Sequence, residues 1–295
     1  MFTADIFEIK RFAVHDGDGI RTTIFFKGCP LKCKWCHNPE GLITNSQLAF
    51  IKHKCVNCGE CTKVCETSAH ILKNGEHFFE RNSCITCGKC VDVCPQNALK
   101  IYGKKMTVDN VIKIVLEDKL FYETSGGGVT LSGGECLLQS DFCAELLRQL
   151  KDLNINTAVD TCGYISRNRL DKVVSFTDVF LYDIKTFDSD LHLKLTGVKN
   201  DLILDNLLYL DSIGKKIEIR IPFVPTCNDN EIEDIAKFLS KLKNIVKIKI
   251  LPYHNFASSK YSSLDMLDTL PNKIPTNDDI ENAKNIIKKY CLNVE

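Results

Sequence analysis

Within Gly28-Cys29-Pro30-Leu31-Lys32-Cys33-Lys34-Trp35-Cys36-His37-Asn38-Pro39-Glu40, three cysteines stand at C-x3-C-x2-C spacing. The spacing can bring three thiolates to one point but supplies no fourth, so this stretch must be a loop wrapped on a metal site one ligand short. A cube-shaped 4Fe-4S cluster takes one thiolate per iron, so Cys29, Cys33 and Cys36 would hold three irons and leave the fourth open to chemistry. A zinc knuckle that borrows a distant fourth ligand is the alternative, since thiolates suit zinc as well as iron.

The chain of 295 residues has 16 cysteines. In an exported chain that number would indicate a disulfide framework. Here eleven of them fall at x2 and x3 spacings, which are metal-ligand spacings, and the N-terminus lacks the basic-then-apolar layout of a signal peptide. The 38 basic and 38 acidic residues balance to +0, which gives no pull toward nucleic acid or an anionic membrane surface. No apolar run approaches the roughly 18 residues of a membrane span. A cytoplasmic protein in a reducing interior is expected, with neither nucleic acid nor membrane as partner.

From Cys55 to Cys94 the texture changes to short segments with little apolar periodicity, as expected of an insert. Cys55, Cys58, Cys61 and Cys65 make C-x2-C-x2-C-x3-C, and Cys84, Cys87, Cys90 and Cys94 repeat it before Pro95. The repeat matches the bacterial two-cluster ferredoxins, where the fourth cysteine of each run ligates the other cluster. That match implies one cube on Cys55, Cys58, Cys61 and Cys94 and a second on Cys84, Cys87, Cys90 and Cys65. Glu66 departs from the pattern, which usually has proline there. Two clusters that relay electrons and two that only brace a coreless fold are both consistent with the repeat.

Around the insert the pattern is regular. Residues 20–26 are β-branched and aromatic between glycines and predict a buried strand, so the three cysteines occupy the loop after it. Val108, Val111, Ile112, Val115 and Leu116 recur at helical spacing behind Thr107, a candidate N-cap. Residues 128–132 predict a strand, and Phe142, Leu146, Leu147 and Leu150 a helix capped by Ser140 or Asp141. Further strands are expected at 155–160, 178–184, 216–223 and 246–252. Ile232, Ile235, Ala236, Leu239 and Leu242 form the clearest helical face between them. Six β-α units imply a parallel sheet with right-handed crossovers, too few for an eight-stranded barrel.

In such folds ligands gather at the carboxyl ends of the strands, where this chain's unusual residues fall. Gly133 and Gly134 permit close backbone approach to a ligand, and Glu135 offers a carboxylate to a cation. Asp160 and Asp183 end neighbouring strands, either as an acid/base pair or as cation ligands. Arg220 and His254 have plain structural readings, an ion pair and a hydrogen-bonded histidine. Cys136 suits a small buried hydrophobe. Cys143, Cys162, Cys227 and Cys291 have no partner at cluster spacing and are not expected to be ligands. Histidines 53, 70, 77 and 192 stand in unremarkable polar contexts.

The cysteine run with Trp35 before its third cysteine resembles the signature of the radical S-adenosylmethionine (SAM) superfamily. The lead-in Phe12-Ala13-Val14-His15-Asp16-Gly17-Asp18-Gly19-Ile20-Arg21-Thr22 and the Cys-His-Asn-Pro run are similar to the activating enzymes of glycyl radical enzymes. The resemblance implies an α/β fold, a partial (β/α)6 TIM-like barrel with an inserted ferredoxin-like two-cluster domain. Its expected segments are 1–51, 52–103 and 104–295, the outer two forming the barrel. It implies that the open iron is chelated by the amino and carboxylate groups of SAM's methionine, with Gly133, Gly134 and Glu135 holding the ammonium. Asp160, Thr161 and Asp183 would ligate a monovalent cation, Lys185 would reach the SAM carboxylate, and Arg220 and His254 would lie near SAM. Trp35 and His37 would flank the cluster near the adenine. The family normally has proline where this chain has Cys136.

The activity so implied is reductive cleavage of SAM to a 5′-deoxyadenosyl radical that installs a glycyl radical on a partner enzyme. The cofactors are three 4Fe-4S clusters, SAM and a monovalent cation, with flavodoxin or ferredoxin as electron donor and a monomeric state expected. Asp16-Gly17-Asp18-Gly19, Asn38-Pro39-Glu40-Gly41 and Tyr122-Glu123-Thr124-Ser125-Gly126-Gly127-Gly128 are similar to activases of choline trimethylamine-lyase and of related diol or hydroxyproline dehydratases. A radical SAM peptide maturase and an iron-sulfur electron carrier are the alternatives.

Overall fold

The computed structural model describes residues 2–290 and 292–295. Cys291, read above as a non-ligand, lies outside them. In chain order the strands are β1 (Thr3–Ala13), β2 (Arg21–Phe26), β3 (Gln47–Phe50), β4 (His70–Lys73), β5 (Glu76–Phe79) and β6 (Leu99–Tyr102). There follow β7 (Lys104–Thr107), β8 (Gly128–Gly133), β9 (Asn156–Thr161), β10 (Val179–Asp183), β11 (Lys216–Phe223) and β12 (Ile245–Pro252).

Eight strands form one sheet in the order β12-β11-β10-β9-β8-β2-β1-β7. The run from β2 through β8 to β12 is parallel, and these six are the strands expected from the alternation. The expectation of a purely parallel sheet is corrected at one edge, where β1 pairs antiparallel with β2, and β7 antiparallel with β1. β7 is a short Lys-Lys-Met-Thr segment, whose charge suits a sheet edge and hides it from a search for apolar runs. β12 and β7 are the two edges, so the sheet stays open, as a partial barrel must.

One face of each parallel strand buries apolar residues against the helices: Ile24, Phe26, Val129, Leu131, Val159, Phe180, Ile219 and Ile221 pack with Val111, Leu146, Leu207 and Ile235 in a single core. Residues of opposite parity, among them Thr23, Thr130, Asp160, Asp183, Glu218 and Arg220, are left to line the interior. Thr107 caps the helix Val108–Leu116 as expected, in a reciprocal capping box with Asn110. The helix Ser140–Asp152 starts earlier than its expected cap, with Gln139 at the N-cap position. Leu242 lies beyond the end of its helix, Ile232–Leu239, yet still packs on the core.

The glycine-rich lead-in stoppers the barrel. Asp16 accepts from Thr23 Oγ1 at 2.8 Å through its carboxylate and from Thr130 Oγ1 at 2.6 Å through its carbonyl, while Asp18 pairs with Lys247. Arg21 is buried beside it, donating to Thr130 Oγ1 at 2.7 Å and Asn156 Oδ1 at 3.0 Å, and burial lowers its pKa to about 10.

The cysteine-rich segment is a pseudo-repeat clasped by antiparallel β3 and β6, with β4 and β5 as a hairpin. Gly59 and Gly88 lead the two short helices from left-handed backbone. Asn57 N–H meets Cys55 Sγ at 3.5 Å as Thr86 N–H meets Cys84 Sγ at 3.4 Å, and Ala69 and Ala98 donate alike to Cys65 and Cys94 at 3.3 Å. Its own core is small: Leu48, Cys61, Cys90 and Leu99. Among the described residues no helix is long and apolar enough to cross a membrane.

Candidate functional site

A cavity of about 410 Å³ opens at the carboxyl ends of β2 and β8–β12. Of the barrel residues predicted for the site, Cys29, Cys33, Trp35, Cys36, His37, Gly133, Gly134, Asp160, Thr161, Asp183, Lys185, Arg220 and His254 all line it. Chain topology explains the gathering, because each lies at or just beyond the end of a parallel strand, or along the inward face of β11.

The cysteine loop is pinned from two sides. Gly28 and Cys29 donate backbone hydrogen bonds to the Gly41 and Leu42 carbonyls, and Lys32 and Lys34 to Thr196 and Leu195. Tyr261 Oη donates to the Cys36 carbonyl at 3.1 Å, and Lys260 Nζ to the His37 carbonyl at 2.9 Å. Burial pushes the Cys36 thiol up to about 12 and raises Cys33 further, whereas a hydrogen bond with Cys162 lowers Cys29. Buried thiols of this kind become thiolates when a cation binds them, so three sulfurs on one wall form a donor set suited to a soft metal.

The glycine pair lines the cavity and also packs closely behind it. A Cβ on Gly134 would stand 2.2 Å from the Gly28 carbonyl oxygen and 2.6 Å from that of Gly41, and one on Gly133 would stand 2.2 Å from Phe26 N. The close approach is to the backbone of β2 and the cysteine loop, which the pair holds against the cavity. Glu135 is a correction. Its side chain is fully buried and off the cavity wall, accepting from Leu137 N–H at 3.1 Å, Thr161 Oγ1 at 2.8 Å and Cys162 N–H at 2.9 Å. Its carboxylate ties the end of β8 to the end of β9 and has both oxygens engaged.

Asp160 accepts from Ser132 Oγ at 2.7 Å and Arg220 Nη1 at 3.2 Å. Burial raises its pKa to about 7, Arg220 opposing and Asp183 adding to that shift. Lys185 Nζ donates to Asp183 at 2.7 Å; burial would lower its pKa, but the negative charge of Asp183 and the neighbouring cysteines outweigh that and raise it. Arg220 is no surface ion pair: it is buried, faces Asp160, Asp16 and Glu218, and donates to the His15 carbonyl, joining the stopper to the site. Trp35 packs on Leu195, Val224 and Tyr253. His37 stacks on His254 with ring centroids 4.1 Å apart and 8° between planes, its Nε2 2.7 Å from the His254 carbonyl.

Spacing set Cys162 aside, yet the fold brings it to the cavity wall against Cys29. Its place directly after Asp160 and Thr161 at a strand end was the available signal. Cys136 and Cys143 are buried away from the cavity, as expected of small hydrophobes. His192 is buried and hydrogen-bonded to the Val198 carbonyl. The reading of His70 and His77 as unremarkable is corrected, since both are buried within the insert, 2.9 Å apart and close to cysteine sulfurs.

The radical SAM superfamily model matches residues 23–239. The chain is 41% identical to the choline trimethylamine-lyase activating enzyme of Oleidesulfovibrio alaskensis, over 97% of this chain and 95% of that protein. It is 43% identical to the trans-4-hydroxy-L-proline dehydratase activating enzyme of Clostridioides difficile, over 88% of this chain and 87% of that one. The crystal structure of Streptococcus suis SuiB bound to precursor peptide SuiA shares the fold, with a TM-score of 0.55 at 16% identity, over 90% of this chain and 46% of that one. With its three cysteines, glycine pair and paired carboxylates on one cavity, the chain belongs to the radical SAM superfamily and, within it, to the activating enzymes of glycyl radical enzymes.

Proposed function

We propose that this activating enzyme serves a partner of the choline trimethylamine-lyase, diol dehydratase or hydroxyproline dehydratase type, the class to which two of its relatives are assigned. The observation that carries the reading of the site is the convergence of Cys29, Cys33 and Cys36 with Asp160, Asp183 and Lys185 on one cavity. Cys29, Cys33 and Cys36 would hold a 4Fe-4S cluster with one iron left for SAM. When bound, that cluster supplies the electron that cleaves SAM to methionine and the 5′-deoxyadenosyl radical, which takes a hydrogen from the Cα of a glycine in the partner.

The chain's own residues bind and orient SAM. Lys185, held by Asp183, presents a cation to the methionine carboxylate. The ammonium is received at Gly133 and Gly134, with Asp160 nearby and Glu135 supporting the loop from behind. Asp160, Thr161 and Asp183 are proposed as the monovalent-cation ligands. Trp35, His37 and His254 form the aromatic side suited to the adenine. The open sheet edge leaves room at the rim for a protein loop.

Residues 52–103 are proposed as a ferredoxin-like domain with two further clusters that relay electrons from flavodoxin or ferredoxin, in a chain working as a monomer. One observation supports the crossed ligand sets: Cys65, Cys84, Cys87 and Cys90 line one cavity.

The test mixes reduced protein with SAM and a candidate partner. 5′-Deoxyadenosine together with the electron paramagnetic resonance (EPR) doublet of a glycyl radical is expected, and C33A should give neither. Deoxyadenosine without the doublet would reject that partner.

A further inference from the structure

The two halves of the insert match in backbone down to their N–H···S contacts and left-handed residues, and they differ in one buried feature. Position 70 in the first half is His, where the second half has Leu99 at the same place after its last cysteine. The β4–β5 hairpin pairs Leu72 with His77, which folds His77 back over His70. Both imidazoles are buried, 4% and 3% exposed, and His70 Nδ1 lies 2.9 Å from His77 Nε2.

The other contacts of this pair all lead toward sulfur or aromatic rings. His77 Nδ1 is 3.5 Å from Cys55 Sγ, and its Nε2 is 3.5 Å from Cys61 Sγ. His70 lines the cavity of Cys65, Cys84, Cys87 and Cys90. Phe50 packs edge-on to His77 with centroids 4.6 Å apart, and Phe79 stacks on His70 at 5.0 Å, so water has little access to either ring. A neutral imidazole has one donor and one acceptor nitrogen. The three ring nitrogens that meet at this junction each find a role when His70 Nδ1–H donates to His77 Nε2 and His77 Nδ1–H donates to Cys55 Sγ.

We infer that His77, oriented by His70, is a positioning residue that donates a hydrogen bond to the Cys55 ligand and holds the potential of the Cys55/Cys58/Cys61/Cys94 cluster above that of its repeat partner. Hydrogen bonds to cluster sulfurs are one of the protein's levers on potential, and withdrawing electron density from a thiolate ligand favours the reduced cluster. The backbone N–H···S contacts are shared by both halves and cannot separate the two clusters. The imidazole pair is the asymmetry that can. Two cubes on one small scaffold then present a higher and a lower step to incoming electrons.

This inference rests on the two-cluster reading of the insert, and the test separates the two. The full chain is reconstituted anaerobically with iron and sulfide as wild type, H77L, H77N and H70L. About twelve irons per wild-type chain fits three cubes. About four irons, or a zinc retained on Cys61, His70 and His77, would overturn the two-cluster reading together with the inference. At full iron content, potentiometric titration followed by EPR reads each cluster. H77L is expected to lower the midpoint of one insert cluster and leave the other two clusters in place. H77N, which keeps an N–H near the Nδ1 position, should recover most of that shift. H70L should move the same midpoint by less, and because it installs the residue of the second half it remains informative if H77L loses iron. Unmoved midpoints, or equal shifts in both insert clusters, would overturn the inference while sparing the clusters.

Discussion

The barrel and the insert solve the same problem, holding cysteines at a point, by opposite means. In the barrel a large apolar core fixes six strands, and the strands deliver Cys29, Cys33 and Cys36 to a rim already shaped by hydrogen bonds from Gly28, Lys32 and Lys34. In the insert Leu48 and Leu99 pack against two of the cysteines themselves, Cys61 and Cys90, while Cys58 and Cys87 are exposed. A segment that small buries too little apolar surface to order itself, so with the proposed clusters its fold and its metal would be coupled. The barrel site is preorganised; on that proposal the insert depends on what it binds.

The largest expected consequence is a divided response to iron removal. Chelation under reducing conditions should leave the amides of β8 to β12 protected against hydrogen exchange while those of residues 52–103 exchange freely. An insert that stayed protected without iron would break the comparison.

Next in size is the buried ion-pair network inside the barrel. Replacing Arg220 with Met strips the counter-charge from Asp160 and Asp16 at once. Removing one partner of a buried ion pair costs roughly 3–5 kcal/mol. Urea unfolding of the barrel, followed through its buried Trp35, should show a loss of that order, and a loss below about 1 kcal/mol would mean the stopper carries little of the site's rigidity.

The smallest effect sits where the two regions meet. Thr107 ends β7 and caps the helix that resumes the barrel after the insert. Thr107→Ala removes the capping hydroxyl and should cost about 1 kcal/mol. If the helix is anchored by the barrel core through Val111 and Val115, the lost stability should appear in barrel unfolding, with the iron content of the insert unchanged.

Much of this was legible along the chain because it is local. Cysteine spacing, strand composition and the polar residues at strand ends all act within a few positions, so the six parallel strands and the rim could be read directly. Residues whose role depends on a distant partner could not. Glu135 looked like a ligand carboxylate but turns inward to Thr161 and Cys162, because the ends of β8 and β9 lie side by side. Arg220 reads as an ion-paired strand residue, but its partners Asp16 and Asp160 come from the lead-in and from β9, which only the fold brings to it. His70 and His77 seemed ordinary because only a hairpin places two positions seven apart in contact.

The sequence by itself determined where cysteines cluster at metal-ligand spacing and which strands carry the cavity residues, since spacing and strand pattern are short-range properties. Tertiary structure alone decided which polar groups face the cavity and which brace it from behind. It also decided that one half of the insert has a buried imidazole pair against its sulfurs and the other does not. Burial and partnership are properties of the packed chain, because a side chain's charge, proton and hydrogen bonds are set by whatever the fold brings within about 3 Å of it.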